Sequence, residues 1–125
     1  MVVKDMEFYS KKYGKNFVEE SIKSISNKWT LHIFKDLFNG KTRFTEFQKE
    51  RPTLDNKSLT RCLNAMLEND LIVKKGNEYF LTEKGISFNR VYFELVNFAI
   101  ENDSQYSSDE KLEIKNHYLE LLKLL

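Results

Sequence analysis

Apolar residues recur at helical spacing over most of the chain, with polar residues between them. Residues 17–27 follow this spacing and predict a first helix. Residues 28–38 carry apolar side chains on nearly every side, which is typical of a buried central helix. Gly40 follows, and glycine readily adopts the left-handed conformation that ends a helix.

A short helix, a turn and a longer helix are predicted next. The short helix covers residues 42–51, and Pro52 ends it because proline disfavours helix at the residue before it. Asp55 is a favoured N-cap for a helix over 56–69. The apolar residues of that helix fall within one sector of about 100°, so its other side faces solvent. They are Leu59, Leu63, Met66 and Leu67.

A β-hairpin and two further helices complete the predicted elements. The β-prone runs 71–75 and 78–82 flank a Gly-Asn pair, which predicts a tight hairpin. Helical patterns follow at about 86–102 and 109–124, joined by a polar linker. The predicted fold class is mainly α with a small β-hairpin.

Composition narrows the class of protein. A length of 125 residues predicts a single domain over 1–125. Four glycines and one proline are about 4% of the chain, against roughly 12% in average proteins, which favours helices and leaves no glycine cluster to hold a phosphate. The N-terminal stretch carries scattered charges, and no apolar run approaches the ~18 residues of a membrane span. We therefore expect a soluble, cytoplasmic protein.

The charges are unevenly distributed. Residues 28–75 hold 10 basic and 6 acidic residues, a net charge of +4. Residues 76–125 hold 5 basic and 9 acidic residues, a net charge of −4. The basic centre indicates a polyanion such as nucleic acid, although ordinary solvated surface would give a similar excess.

The sequence predicts neither a catalytic site nor a metal site. His32 and His117 belong to no cluster with metal-ligand spacing, and a packed or surface histidine is the simpler interpretation of each. Cys62 is the one cysteine, which excludes an intrachain disulfide and a cysteine-rich zinc module. Its helical angle places it at the margin of the buried side, as a packed thiol. We expect no enzyme activity and no cofactor.

The order of the predicted elements is that of a winged helix-turn-helix. A helix enters the major groove of DNA when its outer side carries short polar and basic donors, and helix 56–69 has such a side. The hairpin tip has lysines suited to phosphate or minor-groove contacts. The residues expected to contact DNA from these two elements are Asn56, Lys57, Ser58, Thr60, Arg61, Asn64, Lys74, Lys75 and Asn77.

Several stretches, in order, resemble the HxlR-type transcriptional regulators. The matching stretches are KWT at 28–30 with Ile33, GKTRFTEF at 40–47, KSLTRCL at 57–63, LENDLI at 67–72 and LTEKG at 81–85. The resemblance covers about residues 17–102. Trp29 and Phe44 match the most distinctive letters of the family's pattern, and by their spacing we expect them in the core.

The resemblance implies a dimeric winged-helix regulator related to the MarR group. Residues 17–85 would form the DNA-binding core, with the wing at about 71–82. Residues 86–125, together with the N-terminal helix, would pair two subunits. The polar-sided helix would be the recognition helix, and Arg43 and Thr45 would approach phosphates at the start of the short helix before it.

Two departures from the family's pattern bear on function. Redox-responding members carry a cysteine before the first helix, where this chain has Asn16 and Phe17, so thiol sensing by that route is not expected. Asp70 and Cys62 stand where the family usually has glycine and arginine, which leaves the exact base contacts open.

The last helix carries more leucine than a small domain readily hides. Burial across a two-fold axis would cover these side chains, and Leu112, Leu119 and Leu122 are the candidate dimer contacts. The alternative is that this helix folds back on the first helix of its own subunit.

Two hypotheses for function follow. In the first, a homodimer regulates transcription by binding double-stranded DNA at a palindromic operator. In the second, the winged helix is a protein–protein interaction module without specific DNA binding, because fold does not fix function. A small-molecule effector between the DNA-binding core and the dimer helices would be a further partner, and nothing in the sequence identifies it.

Overall fold

The computed structural model describes residues 5–125, which form a mostly helical fold with one antiparallel hairpin. The elements are α1 (Phe8–Tyr13), α2 (Phe17–Ser24), α3 (Thr30–Phe38), α4 (Phe44–Lys49), α5 (Asn56–Glu68), β1 (Ile72–Lys75), β2 (Glu78–Leu81), α6 (Glu83–Ser87), α7 (Asn89–Glu101) and α8 (Ser108–Leu121). This order confirms the predicted winged helix-turn-helix. Residues 1–4, part of the N-terminal stretch discussed above, lie outside the described residues.

The core lies between α3, α4, α5 and the hairpin. Phe34, Phe47 and Leu59 have no exposed surface. The other members of this cluster are Ile33, Leu37, Leu54, Cys62, Leu63, Met66, Leu71, Ile72 and Tyr79. The inward side predicted for α5 is therefore confirmed, with Leu67 half-buried at its edge. Trp29 and Phe44, expected in the core, are half-buried and pack against it from outside.

Local hydrogen bonds explain where α5 begins and ends. The Asp55 side chain accepts a 2.7 Å hydrogen bond from the backbone N–H of Ser58, as predicted for an N-cap. At the other end, the N–H groups of Asp70 and Leu71 donate to the carbonyls of Leu67 and Met66. This is a Schellman motif, and it places Asp70 in the left-handed conformation with φ 59°.

The hairpin is held to the helices on both sides. Its strands pair from Ile72 with Leu81 to Lys75 with Glu78, and Gly76 turns the chain with φ 61°. On one side, the N–H of Tyr79 donates to the carbonyl of Thr42 at 2.8 Å. On the other, a Cβ at Gly85 would lie 2.1 Å from the carbonyl oxygen of Leu71, so only glycine permits this approach.

Several predicted helix boundaries were wrong for local reasons. The first predicted helix ends at Ser24 rather than 27, and the second begins at Thr30, because the Asn27 side chain accepts the N–H of Trp29 at 2.9 Å and starts a new helix there. The helix predicted over 86–102 is two helices, since Thr82 caps the earlier start of α6 and the chain turns at Phe88. The sequence analysis missed α1 entirely.

The C-terminal helices form a pair that joins the core at the start of α7, where Phe88 and Tyr92 pack against it. α8 packs along α7, and the Asn89 side chain donates to the carbonyl of Leu122 at 2.9 Å. An ion pair between Lys115 and Glu101 also joins them. The last helix thus packs mainly on α7, a partner that neither the dimer prediction nor the alternative of packing on the first helix had named. Within residues 5–125, no helix is both long enough and apolar enough to cross a membrane.

Candidate nucleic-acid interface

One side of α5 is a continuous polar and basic surface. Five of the residues expected to contact DNA are exposed on it, namely Asn56, Lys57, Thr60, Arg61 and Asn64, while Ser58 is half-buried. Lys57, Thr60, Arg61 and Asn64 line one shallow groove. Glu68 closes the far end of this groove. The opposite side of the helix lies in the core, so the burial of Leu59 and Leu63 fixes the outward direction of these donors.

The first turn of α5 is held by its neighbours. The Gln48 side chain on α4 donates its amide hydrogen to Oδ1 of Asn56. This contact leaves the Nδ2 group of Asn56 as a hydrogen-bond donor. The bond from Ser58 to the Asp55 carboxylate lowers the pKa of Asp55, which keeps the cap ionised well into the acid range.

Lys28 is a basic residue of this surface that the sequence analysis did not single out for DNA contact. Together with Trp29, Ser58 and Arg61 it lines a small cavity of about 210 Å³ beside the start of α5. Its ammonium lies 5.1 Å from the centre of the Trp29 ring, a cation–π distance. Lys28 directly precedes Trp29 in the KWT stretch. That position was the sequence feature that could have indicated a role for Lys28 in this surface.

The start of α4 is joined to the wing by one carboxylate. Glu78 on β2 accepts a 2.9 Å hydrogen bond from the hydroxyl of Thr42, and it lies 3.7 Å from the guanidinium of Arg43. Arg43 remains more than half exposed, and Thr45 is exposed beside it. The structure therefore brings the expected phosphate contacts of α4 next to the wing, with an acid between them that the sequence analysis did not consider.

The wing tip presents its predicted residues to solvent. Lys74, Lys75 and Asn77 are all exposed. The ammonium of Lys74 lies 5.4 Å from the centre of the Tyr79 ring, which itself packs in the core. Lys75 has no such contact among the described residues, so the two lysines differ in how firmly they are held.

A buried ion pair fixes the turn between α4 and α5. Asp36 on α3 has no exposed surface, and Arg51 donates to both of its carboxylate oxygens. Arg51 also donates to the carbonyls of Phe47 at 2.9 Å and His32 at 3.0 Å. The hydrogen bonds to Asp36 raise the pKa of Arg51. The sequence feature that could have indicated this pair is an aspartate within a helix that has apolar residues on nearly every side, because a buried carboxylate needs a cationic partner.

The cysteine and the two histidines, which were considered as candidates for catalysis or metal binding, form no such site in the described part of the chain. Cys62, expected at the margin of the buried side, is fully buried, with its sulfur 3.8 Å from the hydroxyl of Thr30. Burial raises the pKa of the Cys62 thiol, which makes it a poor nucleophile. Of the two interpretations given for the histidines, packed or at the surface, the second holds, since His32 and His117 are both exposed. Residues 5–125 contain no group of three or more potential ligands placed to hold a metal ion.

The candidate dimer residues lie in different environments. Leu112 is 58% exposed and Leu119 is half-buried. Leu122 is only 1% exposed in the single chain, so it is not part of the surface left for a second subunit. Further exposed apolar side chains lie on α2 and α7. They are Phe17, Val18, Ile22, Val91, Leu95 and Phe98.

Comparison with known proteins gives a family and one curated relative. Residues 24–107 match the family of HxlR-like helix-turn-helix proteins. An uncharacterized HTH-type transcriptional regulator of Methanothermobacter thermautotrophicus is 35% identical over 77 residues. That alignment covers 56% of this chain and 59% of the relative, so the chain spans less than two thirds of that protein. No solved structure matches the chain significantly.

The family match confirms the resemblance drawn from the sequence motifs. It spans 84 of the 125 residues and includes α3 to α7 with the whole wing. Within it lie the polar side of α5, the Arg43–Glu78 contact and the buried Asp36–Arg51 pair. The chain therefore belongs to the HxlR-like helix-turn-helix family of transcriptional regulators.

Proposed function

We propose that the protein is a sequence-specific DNA-binding regulator that acts as a homodimer on a palindromic operator. The observation that carries this proposal is α5, which buries one side in the core and exposes a row of short polar and basic side chains on the other. A helix of this kind fits the major groove. Two copies related by a two-fold axis would enter successive grooves about 34 Å apart.

The exposed residues divide into two roles by their chemistry. Arg61 suits bidentate contact with guanine, and Asn56 and Asn64 suit contacts with adenine; Lys57, Ser58 and Thr60 extend this surface. Outside α5, the exposed cationic and hydroxyl side chains suit contacts with DNA phosphates. Such contacts position the protein on the duplex without reading its sequence. These side chains are those of Lys28, Arg43, Thr45, Lys74 and Lys75, with Asn77 at the wing tip.

Homodimer formation is supported by apolar surface away from α5. On α2, Phe17, Val18 and Ile22 are each more than half exposed, and on α7 Phe98 is 72% exposed. Apolar side chains grouped in this way are typical of protein interfaces. We propose that these faces, with Leu112 and Leu119 at their side, pair two subunits. The polar side of α5 then stays free for DNA.

The first experiment measures DNA binding and mass together. Fluorescence anisotropy with a random duplex, titrated with salt, is expected to show an affinity that falls about tenfold or more between 50 and 200 mM salt, because several phosphate contacts release counterions. Light scattering on the same sample is expected to give twice the chain mass of 14.9 kDa. No binding to any duplex at low salt would contradict the proposal and favour a protein–protein module instead.

Sequence reading is tested after operator selection from a random library. Replacing Arg61 by alanine is expected to weaken operator binding by about 1–3 kcal/mol and to relax the preference at one base pair. The matched variant Lys74→Ala removes a wing cation and is expected to weaken operator and random DNA equally. An equal loss on both duplexes for Arg61→Ala would assign Arg61 to a phosphate instead of a base.

A further inference from the structure

Two asparagines on the exposed side of α5, Asn56 and Asn64, are held differently. Asn56 accepts a hydrogen bond at its side-chain Oδ1 from the side-chain amide of Gln48, a half-buried residue of α4. Among the described residues, the Nδ2 group of Asn56 has no acceptor, and the side chain of Asn64 has no hydrogen-bond partner. The amide of Asn56 is therefore fixed in direction, whereas the amide of Asn64 is not.

The turn between α4 and α5 fixes the backbone on both sides of the Gln48–Asn56 contact. The N–H of Arg51 donates to the carbonyl of Gln48 at 2.9 Å, and the N–H of Leu54 donates to the carbonyl of Arg51 at 2.9 Å. Asp55, directly before Asn56, caps α5. Because the chain between the two residues is held by these bonds, the two amides meet as a consequence of the fold.

The direction of the Asn56 amide determines which base it suits. The N-terminal residues of a recognition helix contact base edges in the major groove. There adenine presents a donor beside an acceptor and suits both atoms of an asparagine amide, whereas guanine presents two adjacent acceptors, N7 and O6. Since Oδ1 of Asn56 is turned to Gln48, its NH₂ group is the end left for DNA, with two hydrogens to donate. Two donors match guanine better than adenine.

We propose that Gln48 is a positioning residue for base reading, which fixes the amide of Asn56 so that Asn56 prefers guanine. Asn64, without such a contact, keeps the preference for adenine that suits its residue type. This inference rests on the proposed function, and it narrows the contact that residue type alone suggests for Asn56. Gln48 does not touch the base and acts only through Asn56.

Nuclear magnetic resonance of the free protein tests the contact without DNA. Replacing Gln48 by alanine is expected to shift the side-chain amide signals of Asn56 and to leave those of Asn64 in place. The control is Gln105→Ala, since Gln105 is exposed in the loop between α7 and α8, and it is expected to shift neither. Unchanged Asn56 signals in Gln48→Ala would show that the two amides do not bond, which overturns the proposal.

Competition between duplexes tests the base preference after operator selection. The base pair that faces Asn56 is the one at which Asn56→Ala loses its preference. Exchanging guanine for adenine there is expected to weaken binding of the unaltered protein about threefold to tenfold, the range for one net hydrogen bond. An adenine preference in the unaltered protein would mean that the amide faces the other way, and the proposal would be wrong.

Gln48→Glu is expected to reverse this preference. A carboxylate only accepts hydrogen bonds, so it takes a hydrogen from Nδ2 of Asn56 and leaves Oδ1 for the N6 donor of adenine. The preference at the base pair of Asn64 is expected to stay as it was. Gln105→Glu adds the same charge far from α5 and is expected to change neither preference. A guanine preference that survives Gln48→Glu would contradict the proposal.

A double variant separates positioning from direct contact. Gln48→Ala alone is expected to lower the preference for guanine, and to change nothing further once Asn56 is alanine. A further loss in the double variant would mean that Gln48 touches the base itself, against the proposal. If the amide signals respond as expected but no duplex binds, the proposed function fails and base reading fails with it. If an operator is bound and the pair facing Asn56 shows no preference, only this inference fails.

Discussion

The centre and the two ends of the chain use similar helices in different ways. In the centre, α3 and α5 each bury four or five residues, and their inner sides meet in one core. At the ends, α1, α2 and α8 bury none, and α7 buries only Ile100. All of α3, α5, α7 and α8 are long enough to form regular helices, so helix formation does not explain the contrast. The difference lies in what each helix has to pack against.

The exposed surfaces of the two regions also differ in chemistry. The outer side of the centre is polar and basic, with Lys57 and Arg61 on α5 and Arg43 at the start of α4. The ends expose apolar side chains among their charged residues, and Phe98 and Val18 are strongly exposed examples. The first surface suits a nucleic acid and the second suits another protein surface, which is why the proposed function assigns them to DNA and to a second subunit. Variants can test each surface without disturbing the other.

The largest effect on stability is expected from breaking the buried ion pair in the central core. Arg51→Ala removes the hydrogen-bonded partner of the fully buried Asp36 carboxylate and leaves only the Lys41 ammonium, 4.0 Å away, as a cation near it among the described residues. Breaking a buried pair costs about 3–5 kcal/mol of unfolding free energy. Urea denaturation followed by circular dichroism measures the loss. The double variant Asp36→Leu with Arg51→Met removes both charges and is expected to recover part of the stability. A loss below about 1 kcal/mol for the single variant would show that the pair is not what closes the core.

The next largest effect is expected on dimer formation, from a substitution on the exposed apolar surface of α7. Phe98→Glu places a charge in the proposed dimer surface and is expected to raise the dimer dissociation constant about thirtyfold or more, as for an interface hot spot. Sedimentation at several concentrations measures it. The control is Phe80→Glu, since Phe80 is also exposed but lies on the wing. If both variants dissociate equally, or neither does, the apolar ends are not the dimer surface.

A smaller effect is expected on the polar surface of the centre. Glu78→Gln keeps a hydrogen-bond acceptor for Thr42 and frees the Arg43 guanidinium, so affinity for duplex DNA at low salt is expected to rise up to about fivefold. The dimer mass should not change. Glu120→Gln on α8 makes the same charge change far along the chain and serves as the control. An unchanged affinity for Glu78→Gln would mean that Arg43 does not contact DNA.

The smallest effect concerns the end of α5. Asp70 has φ 59°, a conformation that costs a residue with a Cβ more than it costs glycine. Asp70→Gly is expected to stabilise the fold by about 0.5–1 kcal/mol, after allowing for the greater flexibility of glycine in the unfolded chain. Asp70→Ala is expected to destabilise it, because alanine lacks the local hydrogen bonding that helps aspartate there. Thermal unfolding of both variants measures the difference, and the same sign for the two would refute this account.

The positions of Asp70 and Cys62 explain two of the differences from the family's pattern. Asp70 occupies the left-handed position of the Schellman motif, which explains why glycine is usual there. Cys62 is fully buried, so this substitution lies in the core and leaves the outer side of α5 unchanged. Neither residue belongs to the surface proposed to read bases.

The sequence by itself determined the succession of elements from α2 onward, except for the division between α6 and α7. It also determined the two sides of α5, its cap at Asp55 and the turns at Gly40 and Gly76. These features depend on residues close together in the chain, where spacing and backbone preference act directly. It did not determine the Asp36–Arg51 pair, the Glu78 contact with Arg43 or the burial of Leu122. Each of these joins residues 15 or more positions apart. Only tertiary packing decides which of many charged or apolar residues meet across such distances.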